Sequence, residues 1–205
     1  MTLQQATSPV RIEPVVSQEH TRHLLAHGYA VVDALWTSAF AQSLAVEAER
    51  LIRRAVPAHQ VKGPPPQATA AEAPLLSWLQ FALLPTARAL TGQVLVPICG
   101  WYNFYPVNDG IWLHVDVDDS DLVILATALG EVGPLHLHPQ LQGLNQAELD
   151  VVYEAPSWND TSGTPVAYPP LGIVAHRGRM VPHHRPGRPV RSPSAVAALH
   201  FKSIW

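Results

Sequence analysis

Between Gly110 and Asp116 apolar and polar positions alternate: Ile111, Leu113 and Val115 are apolar, with Trp112, His114 and Asp116 between them. A period of two marks a strand with two unlike faces. Side chains two apart on a strand point the same way, so His114 and Asp116 are expected on one face. Further on, Leu122 to Leu129, Gly172 to Ala175 and Ser194 to Phe201 are short apolar runs, and a short strand carrying His183 and His184 precedes the last of them. Clusters of Gly, Pro, Asn and Asp separate these runs from Val94 onward, the pattern of an antiparallel double sheet.

Upstream the period lengthens. Ser17 to Gly28 reads as a short helix ended by Gly28. Tyr29 to Asp33 follows as a strand. A longer helix is expected from about Thr37 to Ala55, with Phe40, Leu44, Ala48 and Leu51 at helical spacing and Thr37 or Ser38 as its cap. Pro74 to about Leu90 is helical through Leu76, Trp78, Leu79, Leu83 and Leu84, and Pro85 should kink or end it. Val61 to Ala70 is too rich in Pro and Ala to be helical and is expected to be a loop, placed as a flap at a site mouth. A further helix is expected over 145–152. His20, His23 and His27 read as a solvated helix face, because no acidic or cysteine ligand accompanies them.

Composition narrows the class. A chain of 205 residues can bury a substantial core as one domain. Its formal charge of -3 gives no broad electrostatic case for nucleic acid or an anionic membrane. The lone Cys99 forms no intramolecular disulfide and has apolar neighbours, as a buried thiol would. The first residues lack a basic start followed by an apolar run, so no secretory signal is expected, and no apolar run reaches spanning length. A reducing cytoplasmic compartment is the expectation.

The candidate chemistry begins with His114 and Asp116. A nitrogen and an oxygen donor side by side make half of a metal site. One distant histidine would complete the 2-His-1-carboxylate set that binds Fe(II) on one face and leaves positions open. His183 and His184 are both available, but adjacent residues on a strand face opposite ways, so only one can join. His176 is a third candidate.

With these residues the chain resembles the Fe(II)/2-oxoglutarate-dependent oxygenases, of the prolyl-hydroxylase-like and phytanoyl-hydroxylase-like kind. The resemblance covers about residues 95–202 and rests on His114-Val115-Asp116 followed by the later histidine. Tyr105, nine residues before His114, falls where the family often has a tyrosine near the co-substrate. Gly133-Pro134-Leu135 is similar to the family's Gly-x-Leu element after a core strand. The resemblance implies a mostly β fold with supporting α-helices: a double-stranded β-helix (jelly-roll, cupin-like) core with the N-terminal helices packed on one sheet. The expected organisation is a single domain over 1–205, with helical support and one early strand in 1–92. A jelly-roll core occupies 93–205, with an insertion at about 140–164.

It also implies site roles. Iron would be held by His114, Asp116 and His183 (or His184). His183 is favoured because Arg191 then lies eight residues on, close to the family's co-substrate arginine. Arg191 is the first choice for the 2-oxoglutarate carboxylate and Arg188 the second. Arg185 lies in the same stretch, and Lys202 could serve from the far end of the last strand. Tyr105 and Asn103 would stand near the co-substrate, with Trp112, Tyr102 and Trp158 as aromatic candidates for the substrate wall. O2 and 2-oxoglutarate would be consumed and succinate and CO2 released. Family halogenases carry a small residue in place of the carboxylate, so Asp116 implies hydroxylation rather than chlorination, with desaturation or ring formation left to substrate placement. A small-molecule substrate, an amino acid or natural-product intermediate, is the leading expectation, and protein prolyl hydroxylation the alternative. The nucleic-acid demethylase branch shows a similar Asn-x-Tyr, but its late arginine-bearing strand is absent from Ala195 to Phe201. Two other readings compete: a cupin-like metal enzyme using His136 and His138 with His114 and no 2-oxoglutarate, and a jelly-roll binding module without catalysis.

Overall fold

The computed structural model describes residues 15–53, 67–69, 73–105, 110–116, 119–159, 161–187 and 193–204. Its two antiparallel sheets are built from ten strands: β1 (Tyr29–Val32), β2 (Gln67–Thr69), β3 (Leu95–Tyr105), β4 (Ile111–His114), β5 (Leu122–Leu129), β6 (Leu135–Leu137), β7 (Thr164–Val166), β8 (Ile173–His176), β9 (His183–Arg185) and β10 (Ser194–Ser203). The larger sheet runs β1-β8-β5-β10-β3-β2 and the smaller β4-β9-β6-β7. From β3 to β10 the chain passes repeatedly between the two sheets, which makes a jelly roll.

Among the described residues five α-helices accompany them: α1 (Gln18–His27), α2 (Ser38–Ile52), α3 (Pro74–Ala82), α4 (Leu84–Thr91) and α5 (Gln146–Glu154). Their ends follow local chemistry. The Ser17 side chain caps α1, which stops at Gly28 in the left-handed conformation, φ 80°. Thr37 caps α2, its hydroxyl accepting from the Phe40 amide at 3.3 Å. Pro85 does not kink one long helix. It sits in the first turn of α4, where its missing amide N–H is no loss, so the stretch divides into α3 and α4. Ala73, at the start of α3, has no capping side chain. The Glu47 carboxylate of α2 replaces it, accepting from the Leu75 and Leu76 amides at 3.0 and 3.2 Å.

Alternate side chains of the larger sheet divide the core. Tyr102, Phe104, Ile124, Ala126, Ala175, Ala197, Leu199 and Phe201 pack with Leu44, Leu76, Leu79 and Leu90 of the helices. Val123, Leu125, Val174, Val196 and Ala198 face the smaller sheet and meet Leu135, Leu137 and Val181. Burying each such Val, Leu or Phe contributes roughly 1.5–3 kcal/mol.

The N-terminal region does more than support. It supplies both edge strands of the larger sheet, β1 pairing β8 and β2 pairing β3. The second is a correction: Gln67–Thr69 was expected within the Pro-rich loop, whose remainder at 61–66 and 70 lies outside the described residues. Backbone pairing to an exposed sheet edge asks for no apolar pattern in the added strand, which hides it from periodicity. Further along, β3 carries one extra residue at Ile98, where the β10 register shifts. Gln80 of α3 reaches into this bulge, its Nε2 donating to the carbonyls of Cys99 at 2.6 Å and His200 at 2.9 Å.

Candidate metal centre

His114 closes β4 and His183 opens β9, and the two are register partners. Their rings lie 4.3 Å apart. Each imidazole is turned by a local carbonyl: His114 Nδ1 stands 2.8 Å from Trp112 O, and His183 Nδ1 3.0 Å from Val181 O. A carbonyl only accepts, so each Nδ1 carries the proton and each Nε2 keeps a lone pair for the interior. Asp116 lies just beyond β4, held where its amide donates to Gly178 O at 3.2 Å. Its Oδ2 stands 3.6 Å from His183 Nε2.

One donor atom from each of His114, Asp116 and His183 lies within 4.8 Å of the others, and among the described residues no further group of this kind forms. Ligands bonded at roughly 2.1 Å can stand at most about 4.2 Å apart, so the three close on one ion with sub-ångström movement. Asp116 Oδ2 is buried and has no hydrogen-bond partner among the described residues. An orphaned carboxylate oxygen facing two imidazole lone pairs fits a cation. Burial, with the neighbouring histidine adding to it, lowers His114 to about 4. Burial likewise lowers His183 to about 4. Both rings are therefore neutral near pH 7, as ligation requires.

Sequence alternation placed Asp116 on the His114 face of one continuous strand; the chain takes another route. β4 ends at His114, and its pairing runs Ile111↔Arg185 and His114↔His183, one extra residue against β9. The bulge brings Ile111 onto the His114 side, and the hydrogen bond from the Asp116 amide to Gly178 O holds Asp116 on that side beyond the end of the strand.

A small pocket opens from these residues. Tyr105 and Asn103 line it, as do His176, His200, Trp101 and Tyr168. So does Arg185, which stands two residues after His183 on β9 and shares its face. Its guanidinium carbon lies 3.0 Å from the centre of the Tyr105 ring. Both terminal nitrogens are buried with no partner among the described residues. Period-two spacing from His183 could have singled it out. Arg188 and Arg191, preferred from the sequence, lie outside the described residues.

Three aromatic expectations are corrected. Tyr102 faces the helices, its hydroxyl donating to Glu47 Oε1 at 2.9 Å, because even-numbered β3 positions point away from the cavity. Trp158 packs outside the smaller sheet, against His184 at 5.1 Å and His138 at 5.2 Å. Trp112 is absent from the cavity lining. His184 also points outward, its Nδ1 2.9 Å from His138 Nε2. His136 and His138 belong to this outer cluster and do not converge with His114, which removes the geometric basis for the cupin-like reading.

Two predictions arise here. A Cβ on Gly178 would stand 2.7 Å from Asp116 Oδ2 and 2.5 Å from a Val123 methyl carbon. Gly178→Ala should therefore displace the carboxylate and lower turnover about 10²-fold, since an ångström of misplacement has that effect; paired metal titration and rate measurements check it. The second concerns pH. His138 is lowered to about 4 by burial and then by His184, in company with His114 and His183. Unfolded imidazoles titrate near 6.5, so between about 6.5 and 4 the unfolded chain binds more protons than the folded one. Metal-free protein should lose stability as pH falls through that window, by several kcal/mol in total. Urea melts at stepped pH read this directly.

No protein-family profile and no curated protein sequence matches the chain. Solved structures do. The non-heme alpha ketoglutarate dependent carbocyclase SnoK from nogalamycin biosynthesis superposes with a TM-score of 0.71 at 15% identity, over 96% of this chain and 87% of that one. HygX from Streptomyces hygroscopicus, with nickel and 2-oxoglutarate bound, gives 0.67 at 12% identity, over 94% and 89%. EctD from S. alaskensis with bound Fe gives 0.64 at 17%, over 96% and 82%. The chain has the fold of these enzymes. It spans most of each one's length, so the helices and edge strands around the jelly roll are shared as well as the core. Among the described residues no helix is long and apolar enough to cross a membrane.

Proposed function

We infer that the protein is an Fe(II)- and 2-oxoglutarate-dependent oxygenase that hydroxylates a small molecule. The observation that carries this reading is the convergence of His114, Asp116 and His183 beside a buried, unpaired arginine in one cavity. The similar fold of enzymes crystallised with iron, or with nickel and 2-oxoglutarate, supports it.

His114 Nε2, His183 Nε2 and the Asp116 carboxylate would hold the ion. Arg185 would take the far carboxylate of the keto acid in a bidentate pairing, which its planar fork suits. Tyr105 holds that guanidinium by its ring face. Asn103 adds an amide to the same wall. When bound, the ferrous ion supplies coupling between keto-acid decarboxylation to succinate and CO2 and oxidation of a substrate C–H bond by O2. Val123, Leu125, Leu135, Val196 and Ala198 form the apolar part of the wall, which keeps water from the reacting groups. Hydroxylation is favoured over halogenation because Asp116 fills the ligand position.

Anaerobic titration with Fe(II) and 2-oxoglutarate tests the proposal. A weak visible charge-transfer band should appear in the native protein and be lost in His114→Ala. Native protein that develops no band, or releases no succinate in air with pooled small molecules, would overturn the reading.

A further inference from the structure

His176 ends β8 with its side chain fully buried on the cavity side of the larger sheet. Neither ring nitrogen has a hydrogen-bond partner among the described residues. A buried imidazole with an unmet N–H costs about 1–3 kcal/mol, so a fold that retains one has a use for that proton. Its position shows the use. His176 Nε2 lies 3.8 Å from Asp116 Oδ2, the buried carboxylate oxygen that also lacks a partner. The His176 and His183 rings stand edge to face at 4.5 Å, which orients the imidazole between the two other side chains. His176 does not belong to the compact donor group, so it is not a fourth ligand there.

We propose that His176 is the positioning residue of the carboxylate ligand: its Nε2–H, 3.8 Å from Asp116 Oδ2 and so just beyond hydrogen-bond reach, comes within donating distance when the carboxylate turns by a few tenths of an ångström. The proposal rests on the metal reading of His114, Asp116 and His183. A carboxylate has roughly four lone-pair directions, so one donated hydrogen bond is compatible with ligation. The bond fixes the carboxylate's rotation about its side chain, and β8 supplies the anchor: His176 is in register with Tyr29 on one side and Val123 on the other. Gly178, two residues on, leaves the opening into which the carboxylate fits.

The test is titration of metal-free protein with Co(II), followed by its visible absorption, in the wild type, H176L and H176Q. Losing a partner of this kind typically weakens metal binding about 10–100-fold, and that is the loss expected for H176L. H176Q, which keeps an N–H donor, should lie closer to wild type than to H176L. Equal affinities for H176L and wild type, or equal losses in both variants, would overturn the assignment. A wild type that binds no Co(II) would sink the metal reading and this inference together, whereas normal wild-type binding with an unaffected H176L sinks this inference alone. Should H176L not fold, long-range proton–nitrogen NMR of Zn(II)-loaded wild type decides. A slowly exchanging His176 Nε2 proton is expected, and an unprotonated Nε2 would refute the hydrogen bond.

Discussion

Arg185→Met is expected to weaken 2-oxoglutarate binding severely and, at the same time, to raise the melting temperature of the metal-free protein. Both effects have one cause. The guanidinium is buried, its ionisation disfavoured by that burial, and no carboxylate among the described residues pairs with it. Truncating one partner of a buried charge pair costs about 2–5 kcal/mol of binding, or thirtyfold and more in affinity. Without the co-substrate the same cation is a liability. Replacing buried charge by a well-packed apolar side chain is neutral or stabilising by about 1–4 kcal/mol. The lost contact with the Tyr105 ring returns up to about 2 kcal/mol of that. A net gain on the order of 1 kcal/mol corresponds to a few degrees in a chain of this size. Calorimetric titration of metal-loaded protein with 2-oxoglutarate and thermal melts of the apo form check the two halves. Unchanged affinity would remove Arg185 from the co-substrate site and return the role to another cation.

The adjacent pair His183 and His184 should separate chemistry from packing. His183→Ala and Asp116→Ala are expected to weaken metal binding well beyond the hundredfold that outer partners account for. His184→Ala should leave metal affinity near wild type, because its ring lies against His138 and Trp158 on the far side of the sheet. Its loss should appear instead in stability, by about 3 kcal/mol, as for a large ring removed from a packed site. Co(II) titration and denaturant melts on both variants make the comparison. A larger metal defect in His184→Ala than in His183→Ala would put the site on the wrong sheet surface.

Helix ends were legible because their signals are local: Ser17, Thr37 and Gly28 act within one turn. His114 and Asp116 were legible by their type and spacing, although β4 ends at His114 and carries a bulge upstream of it. Bulges depend on the partner strand, and nothing in Ile111 to His114 announces one. Arg185 was legible by its parity with His183, which points it inward, whereas Arg188 and Arg191 lie outside the described residues. Tyr102 shows a different difficulty. An aromatic residue beside a site motif invites a substrate role, whereas its hydroxyl ties β3 to Glu47 and through it to the start of α3. Only the tertiary partner distinguishes the two.

The extra residue in β4 also acts on the timing of metal capture. With so few paired positions between β4 and β9, a regular ladder could slide; the bulge makes any one-residue slip mismatch Ile111 and His114 at once. The two imidazoles are thus preorganised before an ion arrives. Apo and metal-loaded forms should superpose across these strands, and association should be governed by ion dehydration rather than by chain rearrangement.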